Sequence, residues 1–231
     1  MDKSKFYAGL AVMAGLIFAG LMLPQAVKTY RSFDRTVNVK GLCEREVKAD
    51  RAIWPIVFKI GSNDLGTVYS TLEYQAAKVK DFLKEGGIQD SEITQSTTLS
   101  DKNTFDYDSN RSQRYIMKTV MTVCTDNVDA VLSLMSRQEE LIRLGIAIDS
   151  DWSATPEFAF EALNDIKPEM IEEATHNARE VALKFAKDSD SRLGKIKDAS
   201  QGTFSISDRD SNTPYIKKVR VVSNITYYLS K

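Results

Sequence analysis

The chain has 231 residues, 42% hydrophobic and 27% charged, an ordinary globular composition and enough for one substantial domain. Its 31 basic residues nearly balance 32 acidic ones, so the formal net charge of −1 gives no global field for nucleic acid or an anionic surface. One histidine, two cysteines and no Cys-x-x-Cys leave a zinc site almost without ligands.

The first feature in chain order is Phe6 to Leu23, an uncharged run of 18 residues. At about 1.5 Å rise per residue it nearly crosses a hydrocarbon core of roughly 30 Å. A cleaved signal peptide would use Lys3 and Lys5 as its basic start. The run is longer than a signal core, however, and Pro24-Gln25-Ala26 is a poor cleavage site, which favours an uncleaved anchor. The expected organisation is a short cytoplasmic segment at 1–5, a transmembrane anchor at 6–23, a linker at 24–34 and a folded domain at 35–231. Lys28, Arg31, Arg35 and Lys40 outnumber Lys3 and Lys5, so the positive-inside rule by itself would hold the body in the cytoplasm.

Thr36 to Val47 alternates, with Val37, Val39, Gly41 and Cys43 on one face of a strand. A turn at 48–51 leads to a second strand, Ala52 to Ile60, where Pro55 predicts an edge position or a bulge. A helix follows from Leu65 to Glu85. Asn63 or Asp64 caps it, Gly86-Gly87 ends it, and its apolar face is Leu65, Val68, Tyr69, Leu72, Ala76, Val79, Phe82 and Leu83. Glu92 to Ser100 and Arg114 to Cys124 read as strands around a polar loop. A helix from Val128 to about Leu144 presents Val128, Val131, Leu132, Met135 and Ile142, and Gly145 terminates it. Ile146 and Ile148 read as a strand start that Glu157 to Leu163 continues.

The longest element is predicted from Pro168 to Ile196. Ile171, Ala174, Ala178, Val181, Ala182, Phe185 and Ser189 share its face, and Gly194 supplies a left-handed exit. A strand from Ile196 to Ser207 with a bulge-prone Gly202, a turn at 209–214 and a final strand from Tyr215 to Leu229 complete the chain. Helix, strand, polar loop and strand thus occur twice. The loops at Asp106 to Asn110 and Asp208 to Asn212 echo each other. Two β-α-β-β units sharing a layered core explain this; chance reuse of turn residues also would.

Few residues suggest chemistry. Counted as calcium loops from Asp106 or Asp208, the sixth and twelfth positions hold Arg111 and Met117, or Thr213 and Val219, where glycine and glutamate are needed. Asp188 and Asp190, beside Arg192, are two apart and diverge on a helix. His176 lies off the apolar stripe with no triad partner. Tyr227, Tyr228 and Phe204 lack the basic field that base stacking needs. Cys43 and Cys124 both fall in strands, and either a disulfide or two free buried thiols fits the sequence. No catalytic, cofactor-binding or metal-ligating residue is assigned.

The order Val37-x-Val39-x-Gly41, then Val47-x-Ala49-Asp50-x-Ala52, resembles the start of the SIMPL domain, the family of the bacterial periplasmic immunogenic proteins. The helix ending at Gly87, the Arg114-Tyr115 strand entry, the alanines 174, 178, 182 and 186 and Leu193-Gly194-Lys195-Ile196 also match, covering about Arg35 to Lys231. The resemblance implies an α+β fold, antiparallel sheet covered by helices, in the bacterial envelope. It also implies ring- or channel-like homo-oligomers and a link to protection against oxidative stress in some relatives, with no agreed enzymatic activity. It opposes the charge count and puts the body in the periplasm. The expected function is a non-enzymatic protein, held at the inner membrane by its N-terminal helix, that self-associates through sheet edges. The alternative is a periplasmic module binding an unidentified ligand or partner.

Overall fold

The structure is a computed structural model that describes residues 9, 12–18, 20–22, 35–102, 113–149 and 154–230. Residues 12–18 and 20–22 are helical. Among the described residues no helix is long and apolar enough to cross a membrane. The rest of the expected anchor at 6–23, the linker at 24–34 and the loop containing Asp106 to Asn110 lie outside the described residues.

The chain forms two compact units. One comprises the chain up to Arg45 together with Ile166–Ser205 and everything from Arg220 onward; the other comprises Glu46–Asp165 and Ile206–Val219. Two antiparallel sheets run through them. β1 (Thr36–Lys48), β8 (Ile216–Ser230) and β6 (Arg192–Gln201) lie side by side in that order, and β7 (Ser205–Asp208) pairs with β8. The second sheet has the order β3-β4-β2-β5, formed by Ile93–Asp101, Tyr115–Thr125, Arg51–Ser62 and Glu157–Ala159.

α1 (Leu65–Glu85) packs on β2 and β4. The Asp64 carboxylate accepts the Thr67 N–H at 2.7 Å, and this N-cap starts the helix. Gly87, at φ +92°, turns the chain out, and Ile88 N–H closes on the Leu83 carbonyl at 3.0 Å. Val68, Leu72, Ala76, Val79, Phe82 and Leu83 are buried. Of these, Ala76, Val79, Phe82 and Leu83 join Trp54, Ile56, Phe58, Met121 and Val123 in one core, where each large side chain contributes about 1.5–3 kcal/mol. Leu65 and Tyr69 do not join it, being 45% and 54% exposed.

The expected helix from Val128 to Leu144 is two helices, α2 (Val128–Ser136) and α3 (Glu139–Arg143). Arg137 stands at the break; its guanidinium donates to both Glu140 oxygens at 2.8 and 2.9 Å and lies 5.6 Å from the Phe82 ring. The break rephases the apolar face. Leu134 and Leu141 are fully buried, and Ile142 points out. The strand expected at 157–163 is only Glu157–Ala159, and Ile148 makes a single bridge to Phe58. Pro55 is not on an edge strand: β2 lies between β4 and β5. It sits opposite Thr122 beyond the short stretch that β5 pairs, Arg51 to Ile53, so its missing N–H breaks no ladder on that side.

The β1-β8-β6 sheet has its own core, in which Val39, Ile225 and Tyr227 meet Ala178 and Ala182 of α4 (Leu163–Asp188). The helix starts five residues before Pro168, which sits inside it, and ends well short of Ile196. Its buried row is Met170, Ala174, Ala178, Ala182 and Ala186, a four-residue ridge of small side chains. Phe185, expected on this face, is 56% exposed. The left-handed exit is Asp190, at φ 48°, with Ser191 N–H bonded to the Ala186 carbonyl at 2.8 Å. Aspartate tolerates this conformation better than most residues. Gly194 serves elsewhere, in β6, where a Cβ would lie 2.9 Å from the Tyr228 carbonyl oxygen. The strand expected at 196–207 is split into β6 and β7, and the irregular register falls between Leu193 and Asp198, before Gly202.

The internal repeat has a topological form that differs from the expectation. In each sheet the strand after the long helix takes an edge (β3, β6) and the next long strand the middle (β4, β8). The third place is filled by β2 in one sheet. In the other, β5, which precedes α4, pairs with β2, and the N-terminal β1 takes the place instead. Each sheet has its own cluster of buried residues.

Candidate functional site

Among the described residues α1 leaves the edge strand β3 uncovered. α1 packs on β2 and β4, and β3 lies beyond them. The inward face of β3 follows from its register: Ile93, Gln95, Thr97 and Leu99 oppose Val123, Met121, Thr119 and Met117 of β4. Ile93 packs against the core, but everything from Thr94 to Ser100 is exposed. The result is a groove of about 580 Å³ between helix and strand. Tyr69, Glu73, Ala76 and Lys80 form its helical wall. Gln95, Thr97 and Leu99 form the other, with Thr97 Oγ1 3.1 Å from Thr119 Oγ1. The Tyr69 hydroxyl donates to the Glu73 carboxylate, which raises its pKa.

The edge itself is chemically unusual within this fold. Ile93 to Ser100 carries no charge, and β3 pairs with β4 for its whole length without a register shift. The other sheet edges among the described residues are blunted. β6 carries exposed Lys195 and Lys197 and two register shifts. β1 alternates buried residues with exposed Lys40, Glu44, Glu46 and Lys48, and β5 is three residues long. Charges, bulges and shortness are the ordinary protections of an edge. Sequence reasoning found β3 as a strand and missed its exposure, because a Thr-rich strand of low apolar content has no signal that distinguishes edge from interior.

A second polar constellation surrounds Cys43 on β1. Arg45 donates to Glu169 at 2.8 Å and to Glu173 at 3.2 Å. Burial, and then the adjacent Glu173 carboxylate, push the Cys43 thiol up to about 11. The thiol is 1% exposed and stays protonated at neutral pH, so it is a packing group with a hydrogen to donate. Cys124, on β4, is exposed, and both cysteines are free thiols in strands of different sheets. That settles against a disulfide and against two buried thiols.

The remaining candidates do not converge. The His176 side chain is 68% exposed and 3.9 Å from Glu180. Asp188 closes α4 and Asp190 is its left-handed exit. In the β7–β8 turn, Asp210 accepts the N–H groups of Asn212 and Thr213 at 2.8 and 2.9 Å, so its carboxylate is used by the turn. Tyr227 is buried. Tyr228 has Lys197 at 5.6 Å from its ring, and Phe204 has Lys167 at 5.8 Å. Among the described residues no group of three His, Cys, Asp or Glu side chains is placed to hold a metal ion.

Two antiparallel sheets, each with a long helix across it, and a helix–strand groove beside β3 define an α+β protein built on a repeated helix–strand–strand theme. The SIMPL family, a protein family of unknown function (DUF541), matches residues 37–225, and the chain belongs to it. No curated protein matches the chain.

Proposed function

We propose that this is a non-enzymatic, membrane-anchored protein of the bacterial envelope that self-associates through a sheet edge. The observation that carries it is the uncovered β3 strand, an edge uncharged from Ile93 to Ser100 and bordering an open groove. A free edge offers a row of unpaired N–H and C=O groups to another strand. The anchor is supported by the uncharged run from Phe6 to Leu23, and the periplasmic location of the body is what the resemblance to the periplasmic immunogenic proteins implies. Separation of bacterial membranes, with the full chain in two differently tagged copies, tests all three parts. The expected result is a carbonate-resistant membrane pellet, a body digested by protease only after the outer membrane is opened, and co-purification of the two tags from detergent. A chain found in the soluble cytoplasm, or tags that never co-purify, contradicts the reading.

A second reading is supported by the groove's volume and mixed lining. There the cavity of about 580 Å³ holds an envelope ligand. A ligand-dependent rise in melting temperature, abolished by Ala77→Trp at the exposed groove wall, would favour it.

A further inference from the structure

The edge that self-association uses, and the geometry of the pairing, can be read from β3. We propose that β3 pairs antiparallel with β3 of a second copy of this chain, about a twofold axis through Thr97, joining two four-stranded sheets into one of eight. This rests on the self-association reading and names its surface.

Three features carry it. β3 is uncharged from Ile93 to Ser100 and lacks the lysines and bulges of β6. In a twofold pairing centred on Thr97, Gln95 faces Leu99 of the second copy and Ser96 faces its Thr98, so no like charges oppose. The groove is also self-complementary in charge. β2 and β3 both run antiparallel to β4, so α1, which returns the chain from the end of β2 to the start of β3, runs opposite to β3. Glu73 and Lys80 therefore stand on either side of the groove's middle, at Ala76 and Ala77, over the two halves of β3. The same twofold at Thr97 brings Glu73 of each copy toward Lys80 of the other. The exposed Leu99 and Tyr69 are covered in the same step. A twofold perpendicular to the sheet keeps Gln95, Thr97 and Leu99 of both copies on the helix-covered face, where the groove has room for them. An extended segment of a different protein would have no reason to match this symmetric placement of opposite charges.

The test uses the full chain in mild detergent. Ser96 and Thr98 are exposed and face away from the groove, so Ser96→Glu with Thr98→Glu, and Ser96→Lys with Thr98→Lys, place like charges across the axis without touching the core. Each double variant is expected to associate roughly tenfold more weakly than wild type, and an equimolar mixture of the two to recover association. In a Cys124→Ser background, Thr97→Cys is expected to cross-link into a dimer on mild oxidation. Wild-type association that survives both charge variants, with no Thr97→Cys dimer, overturns the β3 assignment and leaves self-association standing through another surface. A wild-type chain that stays monomeric at every concentration overturns both.

Discussion

Gly41 of β1 lies so close to α4 that a Cβ on it would sit 1.8 Å from the carbonyl oxygen of Ala174 and 2.8 Å from Ala178 Cβ. The alanine row and this glycine are two halves of one contact. Neither backbone carbonyl nor helix can yield without moving the whole element. Gly41→Ala is therefore expected to cost about 3 kcal/mol, at or above the upper end of ordinary overpacking. Urea denaturation checks it: the midpoint falls with little change in slope. A midpoint within error of wild type would mean that β1 and α4 are farther apart than described.

Gly86 and Leu134 form a second close pair, in the other unit. A Cβ on Gly86 would lie 2.4 Å from Leu134 Cδ2. Here the obstacle is the tip of a side chain, which truncation removes. Leu134→Ala is expected to cost about 2–5 kcal/mol for the cavity it leaves. In the double variant the new methyl occupies part of that cavity, so Gly86→Ala with Leu134→Ala should lose less than the two single losses added, by about 1 kcal/mol or more. Strict additivity in the cycle would contradict the contact.

The two thiols should behave differently. Cys124 is exposed and Cys43 is 1% exposed, so a thiol reagent should modify one cysteine in the native protein and both in denaturant. Burial raises the Cys43 pKa from 9.0 to about 11, and this sets a pH dependence. The folded state holds the proton that the unfolded chain releases near pH 9. Stability from this group is complete below about pH 9 and is lost as pH rises from there toward about 11. Cys43→Ala should flatten that alkaline limb. An unchanged limb in the variant would assign the pH dependence to other groups.

The fold was legible wherever one face of an element is buried and the other wet. β1, α1, β4 and β8 have the extents that their alternation or helical period predicts, within a residue or two. What escaped depends on contacts distant in sequence. The exit from α4 falls on Asp190, because Gly194 is needed where β6 crosses Tyr228. The break at Arg137 follows from its hold on Glu140 and its place over Phe82, a residue of α1 far back in the sequence. The repeat was visible as a theme, but nothing local could say that β1 replaces β5 as the third strand of the second sheet. The groove was the least legible feature, since Gln95, Thr97 and Leu99 read as a weak strand, and only the position of α1 leaves them bare.

The most direct measurement is the mass of the full chain in mild detergent, by light scattering across a concentration series with the detergent contribution subtracted. Self-association through β3 predicts a mass that rises from one copy to a discrete multiple of two, and a return to one copy when Ser96 and Thr98 are both glutamate. A single-copy mass at every concentration, or a multimer indifferent to those two substitutions, would contradict it.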